Sequence, residues 1–364
     1  MFIKTIPLKI LMSTIFTISS LNCSLQATTC DTYTPRALSI DGGGIRGIIS
    51  GMFLAELEKR LGCPLRYFFD EITGTSTGGI IALGIAAGFS AKELFEIYTL
   101  NGQKIFESSM FRRGIMRARY DHSGIEAVLE EKFGDLNLSN LSTNVTITSY
   151  NLNNGKPYYF SSDIARKDKM HDFSVTCAAR STSAAPTYFA PSECYRQHDI
   201  AGSDPQYFID GGVVINNPAI LAYSKLQHAY PNALDYFVLS IGTGEKQKSQ
   251  KNQAHAAGAL SWGTALIDII LSGVSTVNHD LLNLLIPHID QERNYYRIQA
   301  EISEELEPMD NVAPKHIQAL KEVGQKLIDE NSKEIEQIVT KLKMRAGQAY
   351  HSSIDAEAAL CRAQ

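Results

Sequence analysis

The sequence predicts an α/β protein, a single domain around a largely parallel central sheet flanked by helices. Two observations lead there. Short apolar runs alternate with longer stretches of helical periodicity along most of the chain, the order that a sheet with helical crossovers requires. At two places a strand passes through glycines directly into a helix: residues 36–40 into Asp41-Gly42-Gly43-Gly44, and the segment ending at Ile72 into Gly74-Thr75-Ser76-Thr77-Gly78.

The elements follow in order. Lys4 and Lys9 precede an apolar run at 10–18, and Ala27 offers a small residue for cleavage, so residues 1–27 read as a secretory signal peptide. Residues 28–35 form a leader ending at Pro35, 36–346 the domain, and 347–364 a C-terminal tail. After the 36–40 strand, Ile48, Ile49, Met52, Phe53, Leu54 and Leu57 fall at helical spacing. A strand is expected over 67–72, and a buried helix over 80–87, where the residues are small and apolar. Ser90 and Glu93 form a capping box that opens a helix to about Leu100. Another helix covers 125–133, and strands at 145–150 and 158–160 are joined by an Asn153-Asn154-Gly155 turn. A small-residue helix over 173–181 stops before Pro186. Strand 207–209 leads into Asp210-Gly211-Gly212, and Pro218 opens a helix through Leu226. Strand 236–241 closes on Gly242-Thr243-Gly244, followed by a lysine-rich loop over 245–257. A long helical region containing Trp262, a strand at 295–298 and a charged amphipathic region over 314–344, in one piece or two, complete the chain.

Composition narrows the function classes. With 44% hydrophobic and 20% charged residues, 364 residues can bury one large core. Removing residues 1–27 takes away two lysines and no acids, which moves the formal net charge from −5 to −7 and argues against nucleic acid as a partner. No later run reaches eighteen apolar residues, so the mature protein is expected to be soluble. Its five cysteines, Cys30, Cys63, Cys177, Cys194 and Cys361, allow at most two disulfides. No Cys/His cluster has zinc-ligand spacing, and neither metal nor cofactor is expected.

The chemistry concentrates at the two glycine turns and at Asp210. A serine hydroxyl becomes an effective nucleophile only when lifted clear of the sheet and aimed at a carbonyl. Gly-x-Ser-x-Gly between a strand and a helix does this, with Ser76 at the tip. The loop Gly42-Gly43-Gly44 presents backbone N–H groups without side chains in the way, which suits an anion or an oxyanion. It is not a Walker loop, because no Gly-Lys-Ser/Thr follows. Asp210, at a strand end before two glycines, is a further exposed and positioned group.

Taken together and in this order, Asp41-Gly42-Gly43-Gly44-Ile45-Arg46-Gly47, Gly74-Thr75-Ser76-Thr77-Gly78 and Asp210-Gly211-Gly212 resemble the patatin-like phospholipases. Residues 178–189, Ser240-Ile241-Gly242-Thr243-Gly244, Asn294-Tyr295-Tyr296-Arg297 and the Met309-Asp310-Asn311 region are similar to plant patatins, so the resemblance covers most of the expected domain. It implies a patatin-like Ser-Asp hydrolase fold and a lipid acyl hydrolase, a carboxylic ester hydrolase of phospholipase A, lysophospholipase or galactolipase type. Ser76 would be the nucleophile and Asp210 its general base and acid. Gly42, Gly43 and Gly44 would form the oxyanion hole, with Arg46 beside it as an anion or phosphate contact. The substrate would be a phospholipid, lysophospholipid or galactolipid met at a membrane surface, by a secreted or periplasmic enzyme.

Two rivals stand beside this. An α/β-hydrolase with a Ser-Asp-His triad would need a late histidine such as His279 or His288. A secreted lipid-binding, storage or defence protein could keep the same residues with only secondary esterase activity. Four arginines (Arg112, Arg113, Arg117 and Arg119) interleaved with Phe111, Ile115 and Met116 form a candidate lipid-surface segment, for which a solvated basic face is the plainer explanation.

Overall fold

The computed structural model describes residues 33–106, 118–196, 204–246, 259–286 and 293–344, with 259–271 described by backbone alone. The expected signal peptide, most of the leader, the tail, Arg112, Arg113, Arg117, His288, the Trp262 side chain and most of the lysine-rich loop lie outside the described residues.

Eight strands form one sheet: β1 (Arg36–Ile40), β2 (Glu71–Gly74), β3 (Asn144–Asn151), β4 (Lys156–Ser161), β5 (Ser192–Cys194), β6 (Gln206–Asp210), β7 (Phe237–Ile241) and β8 (Tyr295–Ile298). The order is β5-β6-β3-β2-β1-β7-β8, with β4 also pairing β3. The run β3-β2-β1-β7-β8 is parallel, while β4 and β6 pair antiparallel with β3 and β5 antiparallel with β6. The largely parallel sheet expected from the sequence is present. The helices are α1 (Gly47–Leu61), α2 (Thr77–Ala87), α3 (Ala91–Ile105), α4 (Ser123–Phe133), α5 (Ser162–Ala165), α6 (Val175–Thr182), α7 (Ala219–Ala229), α8 (Ala259–Leu285), α9 (Pro314–Glu330) and α10 (Ser332–Lys343).

Alternation along the strands divides the core in two. Leu38 and Ile40 of β1, with Leu239 and Ile241 of β7, join the main cluster beneath α1 and α2. Ala37 and Val238 point the other way, into a smaller cluster with Ala219, Ala222, Tyr223 and Leu226 of α7 and Leu282 of α8. That is the period-two pattern of a sheet covered on both faces. Truncating Leu38, wholly buried between layers, would cost about 2–5 kcal/mol.

Several boundaries differ from expectation. The segment before the serine turn is not one strand from residue 67; Leu65–Tyr67 is a 3₁₀ turn and β2 begins at Glu71. The reason is Asp70, whose carboxylate accepts the N–H of Arg36 at 2.8 Å while its own N–H donates to the Arg36 carbonyl at 2.8 Å, pinning the chain beside β1 before pairing starts. The Ser90 capping box is present, but α3 runs on to Ile105. The charged C-terminal region is two helices, broken at Asn331, whose side chain donates back to the Leu327 carbonyl at 2.8 Å. Edge strand β5 was not expected; a disulfide joins its Cys194 to Cys177 of α6. Cys63 is also disulfide-bonded.

Candidate active site

Three of the parallel strands end at one level, since Ile40 pairs with both Gly74 and Ile241. The chain runs β1, β2, β3 in one direction across the sheet and later returns to β7 on the other side of β1. Loops leaving the carboxyl ends at such a reversal diverge and leave a crevice, the usual ligand position in open α/β sheets. The glycine loop follows β1 and the serine turn follows β2.

Ser76 sits at the tip of its turn with φ 53° and ψ −123°, a left-handed conformation that favours glycine. Holding a non-glycine residue there costs about 1–3 kcal/mol and persists only where the surroundings enforce it. They do so at several points. The Ser76 N–H donates to Thr182 Oγ1 at 2.8 Å. The Thr75 hydroxyl lies 2.7 Å from that of Thr148 and 2.8 Å from the Ile215 carbonyl, tying the serine turn to β3 and to the turn after Asp210. A side chain at Gly78 would come within 2.2 Å of the Ile40 carbonyl oxygen, so only glycine lets the turn lie this close to β1.

Asp210 reaches Ser76 by way of β3. Ile147 of that strand pairs with Gly74, and two residues on Ser149 pairs with Asp210, which closes a gap of more than a hundred residues in the chain. The Asp210 carboxyl is buried, not exposed as its place at a strand end suggests; desolvation pushes its pKa up to about 6, opposed by the nearby Ser76 hydroxyl and the Gly212 N–H. The Gly212 contact is 2.7 Å. A carboxylate in that range, beside a serine hydroxyl, can accept a proton near neutral pH and return it.

The glycine loop lies against the serine: a Cβ at Gly42 would be 3.2 Å from that of Ser76. The Gly42 N–H donates to the Asn216 carbonyl at 3.2 Å. Among the described residues, the N–H groups of Gly43 and Gly44 donate to nothing. Of the three expected donors, two therefore have no acceptor among the described residues. Gly44 has φ +57°, and a side chain there would meet the Met309 carbonyl oxygen at 2.3 Å; the same carbonyl accepts the Ile45 N–H at 2.8 Å. Arg46 ends the loop in a 3₁₀ turn and is buried, its charge acting on Asp41 and His316.

Sequence reasoning missed the supporting residues. Arg297 on β8 grips Asp41 with both terminal nitrogens, at 2.9 and 2.6 Å, and also donates to Ser240 at 2.9 Å. Burial raises the Asp41 pKa, with Arg297 opposing that shift. Thr182, Asn216 and Thr243 each bond the backbone of the serine turn or the glycine loop. Thr182 is the last residue of α6, Thr243 stands two residues past β7 and Asn216 lies in the turn after Asp210; Thr182 and Thr243 fall in segments that resemble plant patatins, but nothing local marks their hydrogen-bonding role. His279 has both ring nitrogens engaged, Nδ1 with the Tyr295 hydroxyl and Nε2 with the Asn283 amide, each at 3.0 Å.

Comparison with known proteins yields consistent matches. A family model described as "Patatin-like phospholipase" matches residues 38–223. The chain is 31% identical over 334 residues to "Patatin-like protein 2" of Arabidopsis thaliana, covering 80% of this chain and 82% of that protein. It is 30% identical over 347 residues to "Probable inactive patatin-3-Kuras 1" of Solanum tuberosum, covering 85% and 92%. It is also 30% identical over 304 residues to "cGAMP-activated phospholipase" of Pseudomonas aeruginosa, covering 80% and 87%.

Proposed function

The chain belongs to the patatin-like phospholipase family, and from that premise we propose that it is a lipid acyl hydrolase that cleaves acyl esters through Ser76 and Asp210. The observation that carries this is the strand register that brings the buried Asp210 carboxyl beside Ser76, a serine held at positive φ.

The reaction runs in two halves. As Ser76 Oγ attacks the ester carbonyl carbon, its proton passes to Asp210. The carbonyl π electrons move onto oxygen, and the N–H groups of Gly43 and Gly44 hold the oxyanion. When the tetrahedral species collapses, the C–O bond to the glycerol side breaks and Asp210 gives its proton to the leaving alcohol. Water, deprotonated by Asp210, then attacks the acyl-enzyme; the second collapse releases the fatty acid, and the proton returns to Ser76. Gly42, its N–H committed to Asn216, serves by its lack of a side chain. Arg46, buried at the end of the loop, places a positive charge there that would favour an anionic group.

The substrate class in this proposal is a phospholipid, lysophospholipid or galactolipid taken from an aggregate, by a protein exported with loss of residues 1–27. Purified protein assayed against that panel, with Ser76→Ala beside it, tests the activity. Hydrolysis of an acyl ester lost in the variant is the expected result. No turnover of any lipid or soluble ester by the parent would leave the lipid-binding or storage reading in its place. Recovery of exported protein beginning at residue 28 tests the export step.

A further inference from the structure

The Thr243 hydroxyl donates to the Gly42 carbonyl at 2.7 Å. That carbonyl belongs to the same peptide group as the Gly43 N–H, and in a planar trans peptide the two point to opposite sides. Whatever grips the carbonyl therefore aims the N–H. The Thr243 side chain is buried, directly after β7. The Asn216 amide reaches the same carbonyl at a longer 3.4 Å. A Cβ at Gly43 would lie 2.2 Å from Thr243 Oγ1, so the loop and the threonine fit only with glycine at this position. The Gly43 N–H on the far side donates to nothing among the described residues.

We propose that Thr243 is a positioning residue for ester hydrolysis: its hydroxyl orients and polarises the Gly42–Gly43 peptide so that the Gly43 N–H meets the developing oxyanion. This rests on the acyl-hydrolase reading above. A hydrogen bond at the carbonyl end draws charge along the peptide and strengthens the N–H as a donor. It also holds the donor ready before the reaction, so that little reorganisation is needed in the transition state. The effect should therefore appear in turnover more than in substrate binding.

Thr243→Val, nearly the same shape without the hydroxyl, and Thr243→Ser, which keeps it, form the test on a soluble p-nitrophenyl ester. The expectation for Thr243→Val is a fall in kcat of roughly tenfold, with KM within about twofold, since a hydroxyl acting through a peptide is worth less than the donor itself. Thr243→Ser should recover most of the rate. Affinity for a trifluoromethyl ketone, whose carbonyl oxygen becomes an oxyanion when the serine adds to its carbon, should fall in step with kcat/KM in Thr243→Val. If Thr243→Val does not fold, Thr243→Ala gives the same readings. Parental kcat and inhibitor affinity in the hydroxyl-free variant, with Ser76→Ala inactive, would overturn the role of Thr243 alone. An active Ser76→Ala would overturn the acyl-hydrolase reading beneath it.

Discussion

Asp41 and Arg297 form a two-pronged ion pair, at 2.9 and 2.6 Å, between the residue that opens the glycine loop and the middle of β8. Both side chains are buried, and 256 residues separate them in the chain. A buried pair of this kind is costly to break by halves, because the remaining charge has no water to turn to. Arg297→Met alone should destabilise the protein by about 3–5 kcal/mol, and Asp41→Asn with Arg297→Met by clearly less. Urea denaturation of the two singles and the double reads this. Strict additivity would mean that the pair is not coupled.

The general-base role proposed for Asp210 fixes the expected pH dependence. A general base works only when deprotonated, and burial pushes this carboxyl up to about 6. kcat/KM for a soluble ester should rise about tenfold per pH unit below that value and level off above it. A histidine could give a similar inflection, so His279→Gln is the control. Its ring is held by Tyr295 and Asn283, and the inflection should stay where it was.

The same shift has a stability consequence of definite sign. The folded-state pKa lies above the ordinary carboxyl value, so the folded form favours the proton. The stabilisation from keeping Asp210 protonated is fully present below about pH 4 and is lost as pH rises through about 6. At pH 8 the parent bears the cost of a buried charge that an amide would not. Asp210→Asn should therefore be inactive yet more stable than the parent at pH 8, by up to about 3 kcal/mol, with the gain gone at pH 4. Thermal melts at the two pH values test it; a gain of equal size at both would point to packing instead of charge.

The Cys177–Cys194 disulfide closes a loop of 17 residues between α6 and β5. Helix α6 also carries Thr182, which holds the Ser76 N–H. Replacing both cysteines with alanine should lower stability by about 3 kcal/mol, read by denaturant titration. An unchanged midpoint would mean that the crosslink does not restrain the unfolded chain.

Much of the fold was legible because its signals are local. Strands β1, β7 and β8 are apolar runs bounded by turn residues, as buried parallel strands must be, and the start of α3 is written in Ser90 and Glu93. Strand β5 was not legible: three residues, one an exposed glutamate, carry no periodicity, and the strand pairs only because β6 lies beside it. At the site, the glycine turns around Ser76 and after Ile40 announce themselves. The meeting of Ser76 with Asp210 does not, because it depends on the register of β3 against two strands at once. Thr182, Asn216, Thr243 and Arg297 act through hydrogen bonds to partners far away in sequence, and no spacing reveals those.

Ser76 as nucleophile, with Asp210 as its partner and no histidine, is the proposal on which the rest depends. An active-site-directed alkyl phosphonate, followed by intact mass and peptide mapping, tests it most directly. One adduct per chain is expected, on Ser76, forming in step with loss of esterase activity; Ser76→Ala should give no adduct, and Asp210→Asn a greatly slowed one. Labelling at another residue, or undiminished ester hydrolysis by Ser76→Ala, would contradict it.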